Sequence, residues 1–524
     1  MKKILRILLL GATATQLLAN DTTSHTFFSV RPPFYGAMPE KISLVYDRLN
    51  LRDCGIGGLL QVLPFGGQSI NQSEIARYFL PFDKCRILAG EFGSEAVLED
   101  TVDILANYFG VLTRPVAEVF AGNVLNTANL TFQSLISFNP QQTFGGLGLS
   151  YRQKVNRHDT NTSRDIWLQV AFPVMAVKND LGYCERVLNE GGGALGVEVP
   201  EGFVGTVGDA LRGCTVFGDK HFLYGKISNC PRTQWGVADV ELALGFEDKG
   251  CDIFHKLIYG GVIVPTGNTP NGEFIFEPIV GNNHHWGTFI AGEFRYEWWC
   301  SQDGDMSLWM RSYGYSYYLF ENCQRRSIDL VDKQWSRYIW VYQQTGTVGN
   351  ILDISPGINS LTLNVKVQPR SSFNANAAAI FETCNLTLEA GYNTYYRQEE
   401  EVKLAQCFKE GPLIAGFDEA DTTLFRSKSN ATMRHYLASQ SILNDLNPAN
   451  PLEPRLVPIR QFDLDLSSAA HPCVVSHIIY VSGAYQWNEI DWPTLLGAGA
   501  SYEFGADNLA LHRWNVWGKL AISF

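Results

Sequence analysis

Beyond its first twenty residues the chain has no run of about 18 consecutive apolar residues. No α-helix of that part can therefore cross roughly 30 Å of hydrocarbon, a span that takes about 20 such residues. Charge is also scarce. Only 18% of the 524 residues are charged, the net charge is −12, and the longest charge run is the acidic Glu399-Glu400-Glu401, so no basic stripe exists to neutralise phosphates and nucleic acid is excluded as a partner. No Cys-x-x-Cys occurs, nor H-E-x-x-H, G-x-S-x-G or G-x-x-x-x-G-K-[ST], so the commonest signatures of zinc ribbons, metal hydrolysis, acyl transfer and nucleotide binding are missing. No cofactor is implied and no enzyme is expected. Internal repeats and low-complexity tracts are absent too.

What the chain does have is 48 Gly and 12% aromatic residues, a composition suited to many short strands and tight turns. Met1-Lys2-Lys3, the short apolar run Ile4 to Ala14 and the small residues after it read as a secretory signal peptide over 1–19, ending at Ala14 or Ala19. An exported chain without a spanning helix meets a membrane only through strands. In lipid such a sheet must close on itself, because an open edge would leave backbone N–H and C=O groups without partners. Eleven cysteines in an oxidising compartment could pair; Cys184, Cys214, Cys230 and Cys251, crowded into one region, are the expected disulfide formers, and Cys384 reads as a small apolar residue.

From about Thr131 onward, segments of about ten residues alternate apolar with polar, as in a barrel with lipid outside and water inside. In Gly292-Glu293-Phe294-Arg295-Tyr296-Glu297-Trp298 three charges share one face and three aromatics the other. Charges on the lipid face are costly, so these point inward. By the same test Asp239, Glu241, Glu389 and Glu503 face the lumen with Arg152, Lys366, Arg397, Arg513 and Lys519. Val240, Leu242, Leu244 and Phe246 face lipid, as do Leu361, Leu363, Val365 and Val367 on the strand carrying Lys366. The candidate pore-lining set is Asp239, Glu241, Glu293, Arg295, Glu297, Lys366, Glu389, Glu503 and Lys519. Twelve segments emerge, beginning near residues 130, 144, 165, 234, 254, 287, 306, 358, 381, 474, 494 and 509. The fold class expected is all-β: an antiparallel up-and-down transmembrane barrel of about 12 strands, within a range of about 12–16, with an N-terminal partly helical segment and long loops. Trp298, Trp299, Trp309, Trp487, Trp492 and Trp514 suit interface girdles.

Residues 20–127 differ in character. Gln72–Leu80 and Glu95–Tyr108 carry apolar residues at helical spacing, which marks a plug or periplasmic segment ahead of a barrel over 128–524. Excursions at 178–233 and 398–472 exceed hairpin turns and are placed to fold over or into the pore. Asn139-Pro140-Gln141-Gln142 and Gly505-Ala506-Asp507-Asn508 read as tight turns. Gly191-Gly192-Gly193-Ala194-Leu195-Gly196 matches G-x-G-x-x-G only formally, since no strand precedes it. His284-His285 reads as a polar turn rather than a metal site, because adjacent side chains diverge; no metal is expected there. His477, His512 and Ser501 are the residues a barrel hydrolase would need, the weakest of the functional readings.

The last eleven residues alternate, with Trp514, Val516, Gly518, Leu520, Ile522 and Phe524 on one parity. Together with the export signal, this ending resembles Gram-negative outer-membrane barrel proteins of the porin type. The resemblance covers the last strand. It implies residence in the outer membrane of a Gram-negative bacterium, in contact with its lipid, and insertion by the barrel-insertion machinery through Leu520, Ile522 and Phe524. It also implies a channel for passive passage of small hydrophilic solutes. Homo-oligomerisation is a habit of the type that these residues neither require nor forbid. The many cysteines and long excursions depart from a general porin, and the alternative is a plugged barrel with a surface-structural or adhesive role.

Overall fold

The computed structural model describes residues 24–44, 57–90, 102–109, 111, 132–155, 164–190, 204–214, 221–251, 253–342, 354–408, 412–417, 425–427, 446–447, 450–454, 458–505 and 509–524. The expected signal peptide, the triple glycine and residues 95–101 lie outside these residues; the rest of Glu95–Tyr108, expected from its spacing to be helical, holds the two-residue strand Ile104–Leu105 and a 3-10 turn from Ala106 instead.

Twelve antiparallel strands close into a barrel: β1 (Gly58–Ser69), β2 (Gln141–Lys154), β3 (Arg164–Asp180), β4 (Val240–Cys251), β5 (Phe254–Val264), β6 (Gly287–Cys300), β7 (Met306–Leu319), β8 (Arg370–Thr383), β9 (Leu386–Arg397), β10 (Val474–Trp487), β11 (Thr494–Gly505) and β12 (Arg513–Ser523). Each pairs with its neighbour in sequence, and β1 closes the ring by pairing with β12, Leu60 opposite Ile522. Strand β4 is extended by Arg232–Val237, which pairs with the upper half of β3. The break between the two pieces faces Pro173, which has no N–H to give; its carbonyl accepts from the Ala238 N–H at 2.9 Å.

Burial runs opposite to that of a soluble protein. Leu244, Ile290, Phe294, Leu388, Ile479, Val481, Leu496 and Val516 are exposed on the outer face, while Glu241, Glu293, Arg295, Arg311, Asn376, Glu389, Glu503 and Lys519 are buried inside. Such a wall is stable only against lipid. Trp298, Trp299, Trp487 and Trp492 stand exposed around one end of the wall, and Trp235, Trp286 and Trp514 around the other. The chain is thus a transmembrane β-barrel of the outer-membrane type. Val481, 60% exposed midway along β10, gives a direct check. Val481→Arg is expected to destabilise the barrel by about 2–4 kcal/mol, read as a lower urea midpoint after refolding into lipid vesicles.

Two of the twelve segments read from sequence are not in the wall. Gln133–Ser137 pairs with Arg86–Gly90 and Cys184–Asn189 in a small sheet, its apolar side (Phe132, Ile136, Phe138) buried against other loops rather than lipid. Thr362–Gln368 pairs with Asn322–Ser327 and Glu401–Leu404, and its supposed lipid face, Leu361, Val365 and Val367, is core. Their places are taken by β1 and β8. Residues 20–127 accordingly do not form one segment ahead of the barrel: 24–44 lie inside it, β1 is wall, and the helix Gln72–Phe79 belongs to a cap. Asn139-Pro140 is the passage from cap to wall, not a hairpin turn, and residues 506–508 of the last turn lie outside the described residues.

The two ends differ. At the end holding Phe524 the connections between neighbouring strands are short: 155–163, 252–253, 301–305, 384–385 and 488–493, none longer than nine residues. At the other end the described residues of 70–140, 181–231, 265–286, 320–369 and 398–473 leave the wall and pack together around Ile75, Phe79, Ile136, Leu211, Trp335 and Val365. Short turns are periplasmic and long loops extracellular in such barrels, which puts this cap outside the cell. Cys184, Cys214 and Cys230 are unpaired and exposed in it, contrary to the expected disulfides, and Cys384 is likewise exposed and unpaired. Chain proximity is no guide to pairing when each cysteine sits on a different packed piece.

Candidate functional site

The barrel interior is occupied by the chain's own residues 24–44. The segment is short on donors and kinked, with Pro32-Pro33, Phe34 and Gly36 at positive φ (58° and 59°) and Pro39 opening the single turn Pro39–Ile42. It can form no strand of the wall, so its backbone groups must be met by side chains from the wall. At the cap end His25 N–H donates to the Tyr78 carbonyl at 2.9 Å, Thr26 N–H to the Ser468 carbonyl at 2.9 Å, and Phe28 enters the cap core. Below, Arg397 donates to the Ser29 hydroxyl at 2.8 Å, and Arg31 lies 4.4 Å from the Tyr395 ring centre and 3.5 Å from Glu503. The Glu40 carboxylate accepts from the Phe34 N–H at 2.6 Å, which folds the segment on itself. Gly148 in β2 leaves the room for Phe34; a Cβ there would lie 2.3 Å from its ring.

At the periplasmic end three successive residues are held. The Ile42 carbonyl accepts from Arg311 at 2.8 Å, the Ser43 carbonyl accepts from Lys519, and the Leu44 N–H donates to Glu389 at 2.9 Å. Arg311 and Glu389 form an ion pair whose side chains are 0% and 1% exposed, completed by the Tyr480 hydroxyl, which accepts from Arg311 and donates to Glu389, both at 2.8 Å. Higher up, Lys41 pairs with Glu241. Beside the segment, Gln61, Arg152, Tyr259, Glu293 and Tyr313 help to line a cavity of about 40 Å³, room for a few waters at most.

Of the candidate pore-lining residues, Glu241, Glu389, Glu503 and Lys519 meet the N-terminal segment. Glu293 and Arg295 pair with each other at 2.6 Å, buried in the wall's inner face. Asp239 is also buried, at the break in β4, where its carboxylate takes the Asn282 backbone and side-chain N–H at 2.8 and 2.7 Å. Glu297 sits half-buried near the periplasmic end of β6. Lys366 is the exception: it lies on the cap's outer surface, 45% exposed and 3.2 Å from Glu321, because its strand is not a wall strand. Phe524 and Leu520 are exposed on the outer face of the wall, with Ile522 half-buried between them. Sequence reading passed over Arg31, Lys41 and Arg311. In β7 the inward parity is Arg311, Tyr313, Tyr315, Tyr317 and Leu319, with Ser312, Gly314 and Ser316 outward, so polarity contrast is inverted and the arginine's direction is hidden. The one available signal was Arg311 itself, whose charge cannot face lipid.

His477 lies on the outer face, its Nδ1 2.7 Å from the Tyr392 hydroxyl, whereas Ser501 points inward from the adjacent strand. The two do not meet. His284 and His285 bond different carbonyls, those of Gly267 and Phe320, at 2.8 and 2.7 Å. Among the described residues no group of three or more His, Cys, Asp or Glu side chains is arranged to hold a metal ion.

Where cap and lumen segment join, Glu400 is buried on Arg326 at 2.5 Å and accepts from the His471 N–H at 3.1 Å. Burial pushes the Glu400 carboxyl up, but Arg326 and Arg397 outweigh it and hold it at about 2. A depressed carboxyl stabilises the fold above its unfolded value, and that stabilisation is lost as pH falls through the folded one. His471, pushed well below the usual histidine range by burial and then by Arg397, acts with the same sign, since protons prefer the unfolded chain. The cap is therefore expected to lose on the order of 3 kcal/mol between roughly pH 4.5 and pH 2 through Glu400. Acid titration of cap proteolysis checks this, and Glu400→Gln should flatten that part of the profile.

No family model matches the chain, and no curated protein matches it. Among solved structures it is similar to an outer membrane channel from Pseudomonas putida F1 at 9% identity, over 94% of this chain and 100% of that one, with a TM-score of 0.39. A Pseudomonas aeruginosa FadL homologue is similar at 7% identity, over 90% of each chain, with a TM-score of 0.28. The transport unit of the Escherichia coli autotransporter AIDA-I is similar at 7% identity, over 93% of this chain and 94% of that one, with a TM-score of 0.24. At these identities and scores no activity carries over to this chain.

Proposed function

We propose that the chain is a plugged outer-membrane barrel that presents a folded cap at the cell surface, with a structural or adhesive role and no open pore. The observation that supports it is the course of residues 24–44, which run from the cap core to the periplasmic end and engage charges that would otherwise line a pore: Glu241, Glu389, Glu503, Arg397 and Lys519. A channel for small hydrophilic solutes needs continuous water through the same space, so it is the weaker reading. Insertion through Leu520, Ile522 and Phe524 stays part of the proposal. It draws support from the wall's closure, where the Phe524 carbonyl and N–H bond Gly58 at 2.7 and 3.0 Å.

A surface role requires the cap to be reachable from outside. Protease added to intact cells is expected to cut within 181–231 or 398–472 while leaving β1–β12 protected. Cleavage seen only after the outer membrane is opened would sink the surface reading.

A further inference from the structure

Cations gather on the cap where the apolar wall ends. The strand Thr362–Gln368 continues the outer surface of β7 and β8: the Gln368 amide donates to the Tyr318 hydroxyl on the outer face of β7. Lys366, two residues earlier, shares that face. Across one ladder Lys366 stands directly opposite Lys403, and across the other opposite Cys323. Arg325 lies on the Cys323 side of the same face, and Arg370 opens β8 just below at a positive φ of 62°. The side chains of Lys366, Arg370 and Lys403 are 45%, 45% and 58% exposed.

Three carboxylates answer these four cations. Glu321 is 3.2 Å from Lys366, Glu401 is 2.8 Å from Arg370 and 2.6 Å from Lys403, and Glu399 is close enough to act on Arg370. Arg325 instead donates to the Tyr224 hydroxyl at 2.6 Å and the Asn364 side chain at 3.3 Å. The face is thus net positive in a chain of net charge −12. Exposed pairs of this kind contribute little to stability, and two lysines set directly opposite each other destabilise their ladder. Glu321 and Glu401 each answer one of the two lysines from its own side, and a phosphate between the lysines would meet both at once. Immediately below, Trp286 and Phe320 at the rim of the wall and Phe373 on it are exposed, at the height where rings meet headgroups.

We propose that this face binds the phosphorylated headgroup of a lipid in the outer leaflet, with Lys366 and Lys403 on the phosphate, Arg370 and Arg325 flanking it, and the acyl chains lying against Phe320 and Phe373. The face is continuous with the lipid-facing wall, so a lipid reaches both its charged and its apolar parts at once. The inference rests on the reading that places the cap outside the cell.

The test uses the full chain in uncharged detergent, titrated with lipid A carrying its phosphates, with dephosphorylated lipid A and with inorganic phosphate, bound species being counted by native mass spectrometry. Lys366→Gln and Lys403→Gln are each expected to weaken binding of the phosphorylated lipid about fivefold, and together about 25-fold, with the gel shift of the folded barrel unchanged. Dephosphorylated lipid should bind the unaltered chain as weakly as phosphorylated lipid binds the double variant. Equal binding of the two lipids, or full affinity in the double variant, overturns the site. Inorganic phosphate that binds as tightly as the lipid overturns the lipid as its source. Failure of the orientation is seen separately, as a cap that protease on intact cells does not reach while the lysine-dependent affinity persists.

Discussion

Arg311→Ala is expected to lower the unfolding free energy of the barrel by about 3–5 kcal/mol, the range for removing one partner of a buried ion pair. The substitution leaves the Glu389 carboxylate buried with the Tyr480 hydroxyl and the Leu44 N–H as its partners, and it frees the Ile42 carbonyl. Urea titration of the refolded chain, followed by the gel shift between folded and unfolded barrel, reads the effect. Removing both charges as Arg311→Met with Glu389→Met should recover much of the loss, because the desolvation cost goes with them. An Arg311→Ala midpoint equal to that of the unaltered chain would mean that water reaches the pair, and with it that the lumen is open at this level.

Deleting residues 24–44 has the larger functional consequence. Without the segment, Glu241, Glu389, Glu503, Arg397 and Lys519 face a lumen with nothing to fill it but water, and the barrel is expected to pass ions in discrete steps. Hydration of the freed charges replaces the bonds they lose, so the wall, held by its own ladders from β1 to β12, remains closed. Lys41→Glu is the milder form: it sets two carboxylates together where Lys41 now meets Glu241, and brief openings should follow. Planar-bilayer recording of both variants checks this. A deletion variant that folds by gel shift and stays silent would show that other residues also close the barrel.

The wall was legible wherever the two faces differ strongly in polarity. In β6 three charges alternate with three aromatics, in β4, β9 and β12 aliphatic residues alternate with acids, amides or lysine, and in β10 Ile479 and Val481 alternate with Tyr480 and Ser482. Strand β1, GLLQVLPFGGQS, carries apolar residues and glycines on both parities, because its inner face meets the lumen segment rather than water. Strand β8 alternates alanine with asparagine, too weak a contrast to stand out. Thr362–Gln368 misled in the opposite way, since a strand half-buried in a cap core has the same period as one half-buried in lipid. Inward charges were found by the cost of placing them in lipid, which says nothing of what they meet inside. Their partners come from residues 24–44, a stretch of prolines and turn conformations with no period to read, and only the assembled barrel brings Lys41 to Glu241 or Leu44 to Glu389.

The most direct test of the plugged reading is single-channel recording of the unaltered chain, refolded and inserted into a planar bilayer beside the chain lacking residues 24–44. The plugged reading predicts silence from the intact chain at all voltages and stepwise conductance from the shortened one. Stepwise conductance from the intact chain, with reversal potentials in a salt gradient that shift on substitution of Glu293 or Arg295, would contradict it and restore the pore.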